Sequence, residues 1–514
     1  MAVDSHSTVR DALDVTELRV RAACGGTGAC GACLIKWLSG EITSYTLPEY
    51  QKLSPAQRSD GIRLACQVRL VGDAEFLLEQ PAHASQWKGI PTENLSSFDL
   101  PNPTLDTKIY GVSVDIGTTH LRVTLWDRKH SRRIASRCGY NPQGNFGADI
   151  LNRLQASLTD ELHARQLSQL LRESIIDAIR DILVRDVGEL TPMLAEIGRV
   201  VIVGNTAMLA LLTERNVALL LNPDYWQVPL DFSPEANQHW QSLWKLSNAE
   251  FIIPRSIGGF VGSDLTADLI ALQLTKSKKP ALLLDFGTNT EICFWDGDRL
   301  HITSVPGGPA FEGVGIRHGM SAETGAIYRI NQHEDKLVID VMGGCEAKGF
   351  CGSGLIDAVA ILLKRGLLKP SGRFLIATSA EGVQMDADNP LTAITAGDID
   401  ALQRAKAAIA AAIICLVQQA YCTWAAIERL CICGAFGKHL NIDHAQLIGL
   451  LPPIPAKHIE LHADAALSGC ELAMLTGPSE LFAQIGPIAE IINFSSSDSY
   501  DSVYIDQLRL RSIL

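Results

Sequence analysis

The sequence predicts a multidomain protein of mixed class, a small α+β unit at the N-terminus followed by a larger α/β region whose key motif occurs twice. Three observations predict it. Cys24, Cys30, Cys33 and Cys66 stand as C-x5-C-x2-C…C, with glycines packed between the first three. A stretch rich in Pro, Ser and Asn without apolar period follows at 81–108. Beyond it, β-like apolar runs alternate with helical stretches, and two runs end alike, in Asp115-Ile116-Gly117-Thr118-Thr119 and Asp285-Phe286-Gly287-Thr288-Asn289-Thr290.

The first unit spans residues 1–80. Thr8–Val15 reads as a helix leading to the loop R-A-A-C-G-G-T-G-A-C-G-A-C, which supplies three thiols. Gly25, Gly26, Gly28 and Gly31 permit positive φ, so the backbone can wrap a bound group and aim N–H donors at it. Cys66 must return through the fold to complete the set. Four thiolates are what a [2Fe–2S] cluster requires, two for each tetrahedral iron. The spacing pairs Cys24 with Cys30 on one iron and Cys33 with Cys66 on the other. The alternative is four structural thiols or a zinc site, although zinc sites usually join two short C-x2–4-C hooks and only one is present.

Residues 81–108 read as a flexible linker, which suits a module that moves between an electron donor and an acceptor. Past it, the expected strands are Ile109–Val114, Arg199–Val203, Ala281–Leu284, Glu291–Trp295 and Leu430–Cys433. The expected helices are Ser168–Val184, Asp264–Leu274, Leu355–Arg365, Ile399–Ala420 and Asp464–Thr476. The two D-x-G-T motifs lie 170 residues apart, each after a strand, as an internal duplication would place them. This divides the region into subdomains 109–279 and 280–514.

A strand ending in Asp, followed by a tight glycine turn and Thr, has a specific chemistry. Thr hydroxyls and backbone N–H groups bind phosphate oxygens, and the carboxylate holds Mg²⁺, usually through water. No G-x-x-x-x-G-K-[ST] loop is present. Asp264, in G-G-F-V-G-S-D, reads either as the cap of the next helix or as a group that orients the attacking water or the metal. Cys351-Gly352-Ser353-Gly354 opens a helix, whose N–H groups either meet an anion or form a plain glycine turn. Asn205, which follows a strand, either faces the cleft or stabilises a turn.

The formal charge of −13 argues against a broad nucleic-acid surface. No N-terminal stretch reads as a signal peptide, and the longest apolar run, Ala407–Val417, is too short for a bilayer. A cytoplasmic protein without membrane association is expected. Thirteen cysteines scattered through an acidic chain do not form a disulfide framework. Cys415, Cys422, Cys431 and Cys433 lack a C-x2-C pair, lie in apolar runs, and are expected to be packing rather than a second cluster.

The cysteine stretch, including R-L-A-C-Q around Cys66, resembles ferredoxins with C-x5-C-x2-C spacing. That resemblance implies a β-grasp-like domain, here lacking its opening hairpin because the helix begins almost at once. The D-x-G-T pair resembles the superfamily of acetate kinase, sugar kinases, Hsp70 and actin, which implies an actin-like ATPase of two ribonuclease-H-like subdomains gripping the nucleotide from both sides. There Asp115, Gly117, Thr118 and Thr119 would form the first phosphate hairpin and Asp285, Gly287, Thr288 and Asn289 the second. Gly434-Ala435-Phe436-Gly437 would let the adenosine approach the backbone.

The combination, with N-P-Q-G-N-F-G-A-D-I at 141–150, G-G-F-V-G-S-D at 258–264, G-P-A-F-E-G at 308–313, C-G-S-G-L-I-D at 351–357 and G-A-F-G at 434–437, resembles the reductive activators of corrinoid proteins. The resemblance implies a [2Fe–2S] cluster, ATP and Mg²⁺, with Asp115, Asp285 and Asp264 as the candidate catalytic carboxylates. It also implies a corrinoid protein of a methyltransferase system as partner, an unidentified electron donor, and a homodimer. The reaction would return Co(II) corrinoid to Co(I). Plant-type clusters sit near roughly −400 mV, and each ~59 mV uphill costs tenfold in a one-electron equilibrium, so nucleotide-driven closure would supply the bias. The region after the linker is short for the family, which implies a reduced or absent middle domain. His462-Ala463-Asp464 stands where Gly-Asn is usual. Competing readings are a small-molecule kinase with an accessory ferredoxin unit, a non-enzymatic ATP-binding redox sensor, and an activator of another low-potential enzyme such as a dehydratase.

Overall fold

The computed structural model describes residues 8–14, 16, 18–20, 26–78, 86–90, 110–146, 150–187, 191–334, 336–375, 382–434, 436, 438–494 and 497–514. The chain divides into two compact units. One holds residues 2–267 with 466–482, the other 268–465 with 483–514.

The first unit begins with a helix over Val9–Asp14 and a three-stranded antiparallel sheet of β1 (Leu34–Ile42), β2 (Ile62–Leu64) and β3 (Leu70–Leu77), in the order β2-β1-β3. Glu49 is fully buried and joins the sheet to the short helix Leu47–Lys52. Its Oε1 accepts from Arg63 Nε at 2.8 Å and from the Leu64 N–H at 3.0 Å. Burial raises the Glu49 carboxyl, but the hydrogen bonds from Arg63, Thr46 and Leu64 outweigh it and hold the group below its usual range. Such a pair fixes β2, and with it Cys66 two residues beyond.

The first large sheet follows. It comprises β4 (Tyr110–Ile116), β5 (His120–Asp127), β6 (Arg132–Tyr140), β7 (Ile197–Gly204) and β8 (Glu250–Ile252), in the order β6-β5-β4-β7-β8. β4 pairs antiparallel with β5 and parallel with β7. Every residue of β4 after Tyr110 is buried, as a central strand covered on both faces must be, hence its unbroken apolar run. The helix Glu161–Ile182, longer than expected, starts at Asp160, whose side chain accepts from the Leu162 N–H at 2.8 Å.

Residues 86–90 lie within the stretch expected to be a free linker, yet they are built into this unit. Trp87 is 1% exposed. Its Nε1 donates to Asp177 at 2.8 Å, and the Lys88 N–H donates to the Cys138 carbonyl at 2.8 Å. The rest of 81–108 lies outside the described residues. A second departure concerns residues 466–482, expected in the second subdomain. The helix Ala465–Thr476 carries Glu471, fully buried, which accepts from Trp126 Nε1 at 2.9 Å and from Arg133 Nη2 at 2.6 Å. Two donors on β5 and β6 thus hold this return segment on the first sheet.

The second unit repeats the pattern. Its main sheet contains β9 (Ala281–Phe286), β10 (Thr290–Trp295) and β11 (Leu300–Val305). Three strands, β12 (Ala326–His333), β13 (Lys336–Val341) and β14 (Gly349–Phe350), form a separate sheet, and β15 (Val383–Gln384) pairs with β16 (Ala393–Ile394). The main sheet is completed by β17 (Arg429–Gly434), β18 (Ile459–Leu461) and β19 (Ala489–Ile491), in the order β18-β17-β9-β10-β11-β19. Numbering from the first strand of each sheet, both lobes share the order 3-2-1-4-5, with strands 1 to 3 antiparallel and strands 4 and 5 parallel, and the second lobe adds β19 parallel to β11 at its edge. This is the actin-like, doubled ribonuclease-H-like architecture. The long helix Ala396–Gln419 begins with a capping box between Thr395 and Asp398. No helix among the described residues is long and apolar enough to cross a membrane.

Candidate cluster and nucleotide sites

The cysteine loop folds as its glycines require. Gly26, Gly28 and Gly31 have φ of +81°, +79° and +67°. A Cβ on Gly28 would lie 2.6 Å from Pro48 Cβ, so the loop packs directly on the helix held by Glu49. Cys33 and Cys66 are buried and their sulfurs stand 3.4 Å apart, while Cys30 is exposed. Cys24 and Gly25 lie outside the described residues. Gln67 Nε2 donates to the Gly26 carbonyl at 2.8 Å and approaches Cys66 Sγ at 3.6 Å. The hydrogen bond from Cys33 holds the Cys66 thiol well below its ordinary range, against burial and with help from Gln67 and the Arg10 charge. The donor set therefore fits an iron–sulfur cluster: thiols without a disulfide among the described residues, one poised as thiolate, on a loop whose glycines expose backbone N–H groups. Gln67 carries a role that the R-L-A-C-Q signature contained but did not specify.

In the first lobe the β4–β5 hairpin closes through a Gly117 N–H to His120 carbonyl bond of 2.9 Å. Asp115 is buried at the end of β4, and Arg122 Nη1 reaches its Oδ2 at 3.1 Å from the paired position on β5. Several side chains steady the turn. Asn205 Nδ2 donates to Thr118 Oγ1 at 3.2 Å, Arg153 Nη1 to the Thr118 carbonyl at 2.9 Å, and Asn141 Nδ2 to the Gly117 carbonyl at 2.9 Å. The Asn141 N–H donates to the Thr119 carbonyl at 2.8 Å. Asn205 stabilises the turn, one of the two roles the sequence left open, and it also caps the helix Thr206–Thr213 through the Met208 N–H at 3.0 Å. Asn141 lies in the N-P-Q-G-N-F-G signature, but no spacing rule pointed to Arg153.

Asp264 sits in the first turn of the helix Ser263–Leu272 rather than before it. Its Oδ1 accepts from the Leu265 N–H at 2.9 Å. A Cβ on Gly262 would approach Asp264 Oδ1, with Asn205 Cα at 2.7 Å. Gly262 therefore lets the Asp264 turn close onto the Gly204–Asn205 turn, and parallel pairing sets Gly204 beside Ile116. The structure thus brings Thr118, Asn205 and Asp264 onto adjoining turns at the carboxyl ends of β4 and β7, where open α/β sheets bind ligands.

In the second lobe the β9–β10 hairpin closes through a Gly287 N–H to Asn289 carbonyl bond of 3.0 Å. Thr288 Oγ1 donates to Glu312 Oε2 at 3.1 Å. Burial pushes the Glu312 carboxyl up, with the Thr288 hydroxyl opposing it. Glu312 belongs to the G-P-A-F-E-G signature, which carried no assigned role. A Cβ on Gly308 would collide with the Gly287 carbonyl, so that segment packs against the hairpin backbone.

Gly434 follows Cys433 on β17, is paired with Phe286, and has φ of +71°. Its missing side chain leaves room for Asp285 Oδ1, 2.5 Å from where a Cβ would sit. Phe436 follows two residues on. It is 2% exposed, and its ring packs edge-on against Phe286 and Phe311 at 4.8 and 5.2 Å, so its side chain belongs to the core and offers an adenosine nothing but backbone. Ala435 and Gly437 lie outside the described residues. Cys351 precedes the helix Gly352–Lys364, where a Cβ on Gly352 would lie 2.8 Å from the Phe436 ring. That glycine serves close packing.

Elsewhere, Cys415, Cys431 and Cys433 are buried and Cys422 is half-buried. Cys431, Glu460 and His462 have ligand atoms within 4.8 Å of one another. Arg429 nevertheless occupies both Glu460 oxygens, at 2.7 and 2.8 Å. The hydrogen bonds from His462 and Arg429 hold the Glu460 carboxyl down to about 2. That carboxylate is engaged in an ion pair, with His462 as its second donor.

Comparison with known proteins places these sites in context. A family model described as a 2Fe-2S iron-sulfur cluster binding domain matches residues 1–71. A model of the RACo middle region matches 110–277, and one of the C-terminal domain of RACo, the ASKHA domain, matches 279–513. The middle region is therefore present, over the residues of the first lobe, and the expectation that it is absent does not hold. The corrinoid activation enzyme RamQ of Eubacterium limosum is 29% identical over 413 residues, covering 73% of this chain and 66% of its own length. This chain thus spans about two thirds of that relative. A Co(II) methylated amine-specific corrinoid protein reductase of Methanosarcina barkeri is 25% identical over 443 residues, covering 78% of this chain and 77% of its own length. A solved structure of a reductive activator for a corrinoid, iron-sulfur protein shares the fold, with TM-score 0.64, 24% identity, and coverage of 100% of this chain and 97% of that one.

Proposed function

The chain belongs to the RACo family of reductive activators of corrinoid proteins, and from that premise we propose that it returns the Co(II) corrinoid of a methyltransferase-system protein to Co(I) in an ATP-dependent reaction. The observation that carries the proposal is the presence on one chain of an apposed cysteine pair on a glycine-rich loop and two lobes with the same D-x-G-T hairpin. The first is chemistry for one-electron transfer and the second for phosphate binding.

Cys24, Cys30, Cys33 and Cys66 would hold a [2Fe–2S] cluster, which supplies one electron at low potential when bound. Gln67 and the loop glycines orient the cysteine sulfurs. Gly117, Thr118 and Thr119 in one lobe present hydroxyls and N–H groups to the phosphates of ATP, and Gly287, Thr288 and Asn289 in the other present N–H groups, the Thr288 hydroxyl being held by Glu312. Asn205 donates to Thr118 Oγ1, which leaves the threonine proton free for a phosphate oxygen. Asp115 and Asp285 stand at the strand ends, where carboxylates hold Mg²⁺ through water. Asp264 is the candidate to position the attacking water, and Gly434 gives adenosine access to backbone. The partners are a corrinoid protein and an electron donor. The protein acts in the cytoplasm, as a homodimer, without nucleic acid or membrane.

The test is a mixed anaerobic assay of cluster-loaded protein, Co(II) corrinoid protein and reductant, with and without ATP and Mg²⁺. Co(I) absorbance that grows only with ATP is expected. Equal Co(I) formation without nucleotide, or none with corrinoid proteins from several methyltransferase systems, would sink the reading.

A further inference from the structure

The N-terminal unit meets the first lobe through buried charges. Arg10, Arg19, Arg137 and Asp186 are all less than a tenth exposed. Arg10 Nε pairs with Asp14 at 3.3 Å, and its Nη2 pairs with Asp186. Asp186 also accepts from Arg137 Nη2 at 2.6 Å, and Arg137 pairs with Asp181. Asp181 receives Arg19 at 3.4 Å, while Arg185 reaches Asp14 at 3.3 Å. Asp186 stands in a π-helical turn, Leu183–Val187, that ends the long helix of the lobe. Such turns are often kept for function.

Four guanidinium groups here face three carboxylates, so among the described residues this network holds one positive charge in excess. Buried charge of that kind calls for a counter-charge. The structure shows where Arg10 points it. The Arg10 N–H donates to the Ala65 carbonyl at 3.0 Å, next to Cys66. Arg10 Nη1 lies 3.7 Å from where a Cβ on Gly26 would be, over the cysteine loop.

We propose that Arg10 is a positioning residue that sets the reduction potential of the cluster and is itself restrained by Asp186 of the first lobe. This rests on the cluster reading above. Arg10 favours the more negative, reduced state, and Asp186 opposes it by competing for the same guanidinium. The lobe that carries Asp115 thereby reaches the redox centre electrostatically.

The experiment is an EPR-monitored redox titration of the anaerobically reconstituted full chain, comparing wild type, R10Q, R10K and D186N. R10Q is expected to make the cluster about tenfold harder to reduce, a midpoint about 59 mV lower for a one-electron couple. D186N should shift it the opposite way, and R10K should stay near wild type. Should R10Q fail to retain its cluster, the sign of the D186N shift decides alone. Midpoints unchanged within twofold, or R10Q and D186N moving in the same direction, would overturn the inference. A wild-type protein with no reduced-cluster signal would instead remove the cluster reading on which it stands.

Discussion

Asn205 donates its side-chain amide to Thr118 Oγ1 at 3.2 Å while its side-chain carbonyl accepts from the Met208 N–H at 3.0 Å. One residue thus ties the end of β7 to the phosphate hairpin and caps the next helix. N205A should lose the cap, about 1 kcal/mol, and free the Thr118 hydroxyl to rotate. We expect a lower melting temperature and a KM for ATP raised about tenfold, with N205D restoring the melting temperature but not the KM. An ATPase titration beside a thermal scan checks both. Unchanged ATP kinetics in N205A would mean that the residue only caps.

Glu312 gives a pH prediction. Burial raises its carboxyl above the usual 4.5, so the folded chain holds this proton more tightly than the unfolded chain. The unfavourable contribution is therefore absent below the ordinary value and grows as pH rises through the raised one. E312Q should stabilise the protein near neutrality and make no difference near pH about 4. Melting curves of both proteins across that range test this, and a neutral-pH loss of stability in E312Q would show that the Thr288 bond needs the charge.

Much of the fold was legible in the sequence because its central strands are covered on both faces. β4 and β9 read directly as apolar runs, and their shared Asp-x-Gly-Thr ending announced the duplication before any sheet order was visible. What was not legible depends on distance along the chain. Trp126 and Glu471 are 345 residues apart, so nothing local shows that the helix Ala465–Thr476 returns to the first lobe. Trp87 sits among Pro, Ser and Gly, a composition that speaks for a linker and is silent about one anchoring side chain. The Phe436 ring fills a gap between Phe286 and Phe311 that only the folded sheet creates. Thr118 was legible from its motif. Its supports Asn141 and Arg153 come from other elements, with no periodic signal linking them.

Trp87 leads to a packing prediction. A Cβ on Gly139 would lie 2.6 Å from two atoms of the Trp87 ring. G139A should destabilise by about 1–3 kcal/mol, as overpacking does, and should loosen 86–90. Limited proteolysis should then cut next to this segment sooner than in wild type, while the iron content of the cysteine unit stays the same. Equal cleavage rates would show that the backbone bonds of Lys88 are a sufficient anchor.

Lys406 supplies the last prediction. It is fully buried in the helix Ala396–Gln419, and its Nζ has the Gly449 carbonyl at 3.5 Å. Burial lowers its pKa from 10.5 to about 7, with Asp506 pulling the other way. Between those values the unfolded chain carries a proton that the folded chain has released, so stability on this account rises with pH, by about 1.4 kcal/mol for each unit of that window. Below about 7 the full cost of burying the ammonium is present. K406M removes that cost and should raise the melting temperature most at pH about 6.5, in line with the ~1–4 kcal/mol gained when a buried charge gives way to a packed apolar group. The gain should shrink steadily and vanish near pH about 10. A constant gain across the series would mean that the methionine acts by filling space, and that Lys406 keeps its proton in the fold.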